Sequence, residues 1–112
     1  MDKVAGKVAA LGVPGLILII AMGATGYVGA AAVTTALAAL GPGGMVGGVA
    51  FLGVTGLLSD AIAKNGVDAV FSAVVAELYK RGESKETLLE KVDKYPVSKD
   101  LKRKLKEKIE AL

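Results

Sequence analysis

Asp60 and Lys64 stand at the end of a long apolar tract, four residues apart with the acid first. On a helix that spacing places a carboxylate one turn ahead of an ammonium, the favourable order for an ion pair. A carboxylate deep in a bilayer would point to ion or proton handling. One at the end of an apolar arm, with Lys64 beside it, reads instead as an interfacial ion pair. Other chemistry is scarce, because the chain holds no Cys and no His. That removes thiol nucleophiles, disulfides, Cys/His zinc sites and the usual neutral-pH acid/base. The glycine runs are not followed by Gly-Lys-Ser/Thr, and Gly23, Gly26 and Gly29 have neither a strand before them nor a ribose-binding acid after them. The chain is therefore read as a non-enzyme, with no catalytic residue, no cofactor and no metal.

The remaining candidate residues act by packing or by charge. Gly26, Ala30, Thr34 and Ala38 recur every four residues and share nearly one helical face; Gly44, Gly48 and Gly56 form a second row that Leu52 interrupts. Lipid offers no hydrophobic drive between helices, so association relies on close backbone approach along such small-residue faces. Gly23, Gly29, Gly47 and Gly53 lie off the two rows, more small faces than one partner helix covers, which points to a homo-oligomer. Lys80 and Arg81, and further on Lys102 and Arg103, are candidate contacts for anionic lipid or a protein partner. Nucleic acid is disfavoured, since Asp100, Glu107 and Glu110 interleave with the final basic run.

These residues need elements to hold them. Between Lys7 and Asp60 lie 52 residues without an Asp, Glu, Lys or Arg. An uncharged apolar run of about 18 already argues for one membrane span, so this tract is long enough for two. Gly41, Pro42 and Gly43, followed by Gly44, supply hairpin-turn chemistry: a helix-ending glycine, a residue without an amide donor and flexible positions. The first arm runs from about Pro14 to Leu40 and the second from about Met45 to Ala63, with residues 1–13 extending the first arm or forming a short interfacial helix. After Asn65-Gly66, Val67, Val70, Phe71, Val74, Val75, Leu78 and Tyr79 recur at helical spacing, predicting an amphipathic helix. Gly82 stops it, and Ser84 caps a short helix bearing Leu88, Leu89 and Val92. Tyr95-Pro96 ends that helix, and Ser98 caps a last one with Leu101, Leu105, Ile109 and Leu112 in one stripe.

The expected architecture is an all-α membrane protein: a Gly/Ala-rich transmembrane hairpin over 1–64, an amphipathic interfacial helix over 65–81, and a charged helix-turn-helix tail over 82–112. Lys3 and Lys7 flank one end of the hairpin, Lys64, Lys80 and Arg81 the other, and the turn carries no charge. The positive-inside rule then places both termini on the cytoplasmic side.

The segment from Gly23 through Ala32, followed by Gly43-Gly44-Met45-Val46-Gly47-Gly48, resembles the small interferon-alpha-inducible membrane proteins of the 6/27 type. The resemblance covers a third to a half of the chain, and the charged tail after Gly82 departs from it. It implies a Gly/Ala-rich helical hairpin in an organelle membrane, linked to apoptosis and innate defence. Two functions follow as expectations. One is self-association into a pore or a bilayer-remodelling assembly; the other is an anchor or adaptor presenting the basic tail to a partner.

Overall fold

The computed structural model describes residues 2–25, 48–95 and 99–112. Among these residues it is all-α, with six helices and no strand: α1 Asp2–Ala9, α2 Val13–Thr25, α3 Gly48–Asn65, α4 Val67–Lys80, α5 Lys85–Lys94 and α6 Lys99–Glu110. The hairpin turn Gly41, Pro42 and Gly43, and the packing residues Gly26, Ala30, Thr34 and Gly44, lie outside the described residues, as does the Ser98 cap.

α1 is amphipathic, burying Ala5, Val8 and Ala9 and exposing Lys3 and Lys7. It does not run on into the apolar arm. The amides of Leu11 and Gly12 fold back onto the carbonyls of Val8 and Ala9, at 3.0 and 2.9 Å, and Gly12 takes φ +72°. The axis of Lys3–Ala9 therefore meets that of Val13–Ile20 at 116°. Pro14 falls in the first turn of α2, where no amide partner is lost.

α2 is the centre of the fold. Val13, Leu16, Ile17, Leu18, Ile19, Ile20 and Met22 are all buried, so no side of the helix faces solvent along this stretch. A helix apolar all round must be enclosed, by protein or by lipid. Here it is enclosed by protein: α1, α3, α4, α5 and α6 all pack on it. Each buried Leu or Ile contributes on the order of 1.5–3 kcal/mol, so this one segment outweighs any surface polar contact in the molecule.

Two glycines set how closely the neighbours come. A Cβ on Gly15 would lie 2.5 Å from the carbonyl oxygen of Val8, and one on Gly23 would lie 2.7 Å from Cγ2 of Val67. α1 and α4 thus reach the α2 backbone only because these positions carry no side chain. Neither belongs to the four-residue rows seen in the sequence.

α4 lays Val70, Phe71, Val74, Val75 and Leu78 inward, against α1 and α2. The apolar stripe read as facing a membrane interface is covered within the chain. Gly82, at φ +98°, closes α4: its amide bonds the Tyr79 carbonyl at 3.1 Å while the Glu83 amide bonds that of Leu78 at 3.0 Å. This left-handed turn, which a side chain would strain, satisfies two of the last carbonyls. α5 opens on a reciprocal cap, Ser84 Oγ accepting from the Thr87 amide at 3.2 Å and Thr87 Oγ1 from the Ser84 amide at 2.8 Å. Tyr95 ends it in an extended conformation, as the residue before a proline prefers.

Among the described residues no single helix is long and apolar enough to cross a membrane. Lys3–Ala9 and Val13–Ile20 reach that length only together, across their bend.

Candidate functional site

The charged tail does not stand apart from the apolar segment. α5 contributes Leu88 and Val92, and α6 contributes Leu105 and Ile109, all fully buried. Both helices pack on α2 and on each other. Leu101 is partly buried, whereas Leu112, expected to prolong the stripe, lies beyond the end of α6 and is exposed.

The polar bonds of this helical pair are mostly internal. Lys85, the first residue of α5, donates from Nζ to the carbonyl oxygens of Leu112 at 2.7 Å and Glu110 at 3.3 Å, closing the far end of α6. Asp93, near the end of α5, pairs with Lys106, and its carbonyl accepts from Lys102 at 3.0 Å. Along α6, Asp100 pairs with Arg103 and, at 3.3 Å, with Lys104. One ion pair among the described residues joins the pair to α1–α4: Lys108 on Asp68 at the start of α4.

Glu83, in the loop leading to α5, is bound from two sides. Lys91 Nζ donates to one carboxylate oxygen and Thr87 Oγ1 to the other, the latter at 2.7 Å. The Lys91 hydrogen bond, followed by that of Thr87, holds this carboxyl below its usual range.

The residues singled out from the sequence fall as follows. Lys64 Nζ lies 3.1 Å from Asp60 Oδ2, and both side chains are exposed, so the pair stabilises α3 by no more than a few tenths of a kcal/mol. Gly56 is exposed, and a Cβ there would meet nothing within 4 Å among the described residues. Gly48 is the first residue of α3. Lys80 reaches Glu77 at 3.5 Å, and Arg81 donates to the Gly6 carbonyl at 3.0 Å, tying the end of α4 to α1. Lys102 and Arg103 are neighbours on α6, engaged with the Asp93 carbonyl and with Asp100. Arg81 therefore serves the α1–α4 contact and Lys80 pairs within α4, whereas Lys102 and Arg103 belong to the tail.

At the seam of α2, α4 and α6 lies an open cleft of about 330 Å³, lined by Ile20, Gly23 and Val67 below and by Lys104, Glu107 and Lys108 above. Its floor is apolar and its rim charged. No group of three or more Asp or Glu that could hold a metal occurs among the described residues, and none of them buries a polar or charged side chain. What the arrangement offers is a wholly apolar helix under a basic, amphipathic cover.

Sequence reasoning missed Gly15, which lets α2 approach Val8 of α1, and the Arg81–Gly6 tie and Lys108–Asp68 pair, which join segments far apart in the chain. The Glu83, Thr87 and Lys91 cluster had a local signal in Ser84-x-x-Thr87, a capping pattern that brings Thr87 back over the loop.

No family model, curated protein or solved structure matches the chain.

Proposed function

We propose that this chain is a non-enzymatic membrane protein that places its apolar helices in a bilayer, self-associates through their glycine-rich faces, and forms a pore or remodels the membrane. The observation that carries the reading is the tract of 52 uncharged residues around α2, long enough for two spans. In this reading the described arrangement is the sheltered form, in which protein takes the place of lipid around α2, and both termini lie on the cytoplasmic side. The setting in defence or cell death rests on the resemblance of the Gly/Ala-rich segment alone.

The alternative, an anchor presenting its basic tail to a partner, has less support. Leu88, Val92, Leu105 and Ile109 are sealed against the core, so the tail is not freely displayed.

The test is particle size in nanodiscs by mass photometry, with release of a trapped dye from vesicles. A large, discrete oligomer that releases dye, and that Gly26→Leu with Gly48→Leu reduces to smaller species, is the expected result. A monomer without dye release would overturn pore formation and return attention to the anchor. An oligomer unchanged by the two substitutions would remove the glycine faces from the account.

A further inference from the structure

The distribution of charge over the fold is uneven in a way that the total conceals. Residues 85–112 hold nine Lys/Arg against six Asp/Glu, and residues 1–84 hold five of each. The whole net charge of +3 therefore resides in α5 and α6, the two helices laid over α2. α6 is the more polarised: Leu105 and Ile109 are buried, Leu101 is half-buried, and the remaining circumference carries six Lys/Arg, among them Lys99, Lys102, Arg103 and Lys106, against Asp100, Glu107 and Glu110. A narrow apolar stripe with a lysine-rich surround is the composition of a helix that lies in the surface of an anionic membrane.

The way the two helices are attached suits movement as a unit. They are cross-tied at one end by Lys85 to the carbonyls of Glu110 and Leu112, and at the other by Asp93 to Lys102 and Lys106. Toward α1–α4 the described residues offer one ion pair, Lys108 with Asp68, whose aspartate side chain is 84% exposed. The connection to α4 runs through the left-handed glycine at 82. The cover's apolar side chains Leu88, Val92, Leu105 and Ile109 are fully buried where α5 and α6 pack on each other and on α2, and an acyl layer can replace the α2 part of that contact.

We propose that α5–α6 is a hinged cover whose partner on release is an anionic lipid surface. On such a surface Leu101, Leu105 and Ile109 exchange α2 for the acyl boundary, and Lys99, Lys102, Arg103 and Lys106 meet the headgroups. Release uncovers α2 beside the bilayer. The inference rests on the reading that α2 enters a membrane, and it adds the order of events and the lipid class.

Because the full chain has no cysteine, Asp68→Cys with Lys108→Cys gives a specific attachment pair at solvent-reached positions. One sample is bridged with a short bifunctional maleimide; the control has both thiols capped with a monofunctional one. Each is floated with vesicles of phosphatidylglycerol and phosphatidylcholine in equal parts, and with phosphatidylcholine alone. The capped protein should float with the anionic vesicles, at least tenfold less with the neutral ones, and at least tenfold less when bridged. In the unbridged chain, Lys102→Gln with Arg103→Gln should weaken anionic flotation about tenfold or more. Equal flotation of bridged and capped protein overturns the cover while leaving the membrane reading intact. Equal flotation on neutral and anionic vesicles overturns the lipid class. If neither the capped nor the unmodified chain floats, the membrane reading itself fails and the cover with it.

Discussion

Gly23 and Val67 touch backbone to side chain: a Cβ added at Gly23 would lie 2.7 Å from one methyl of Val67 and 3.1 Å from the other. Two effects of Gly23→Ala then oppose each other. Helix propensity favours Ala by about 1 kcal/mol, while overpacking against a stiff β-branched side chain costs roughly 1–3 kcal/mol. The clash wins, so Gly23→Ala should lower the urea midpoint, and Val67→Ala in the same chain should recover part of the loss. Gly56→Ala, with nothing within 4 Å of the new Cβ among the described residues, should be neutral or raise stability by up to about 1 kcal/mol.

The tail is held by burial more than by charge. Leu105→Ala removes most of a fully buried side chain from the α2 contact and should cost about 2–5 kcal/mol. Asp68→Asn breaks an exposed ion pair and should cost less than about 1 kcal/mol, with the difference vanishing in high salt. Equal effects in urea titrations would reverse this ranking.

The boundary before α5 rests on the reciprocal cap between Ser84 and Thr87. Ser84→Ala leaves the Thr87 amide without its acceptor and should cost about 1 kcal/mol, whereas Ser84→Asp should retain most of the stability.

Glu83 makes stability depend on pH. Lys91 and Thr87 bind its ionised form, so its carboxyl titrates lower in the folded chain than in the unfolded one. The stabilisation is therefore complete above the ordinary glutamate range, near pH 4.3, and is lost as pH falls below it. The gap in urea midpoint between the wild type and Glu83→Gln should be constant from pH 7 to about 5 and close on further acidification. A gap that widened in acid would exclude this account.

Local signals placed the end of α4 and both ends of α5 well. Gly82, Ser84 and Tyr95 act through bonds to residues within five positions, or through the proline that follows, and such chemistry is visible in sequence. The α4 stripe was equally plain, since five of its apolar residues share one buried face. What surrounds α2 was not. A helix apolar on every side carries no phase, so nothing in Leu16 to Ile20 distinguishes a lipid neighbour from a protein one. The cover residues Leu105 and Ile109 belong to a segment whose lysines suggested a solvent-facing tail. The close glycines were hidden for a related reason. Repeated spacing drew attention to the rows through Gly26 and Gly48, whereas the contacts at Gly15 and Gly23 depend on Val8 and Val67.

The order of the elements along the chain has a consequence for synthesis. Ile20 leaves the ribosome 85 residues before Leu105, the residue that helps to shut it away. At roughly 5–20 residues per second, the apolar helix waits about 4–17 s for its last cover. Until α6 has emerged, α2 lacks one of the helices that enclose it in the finished fold.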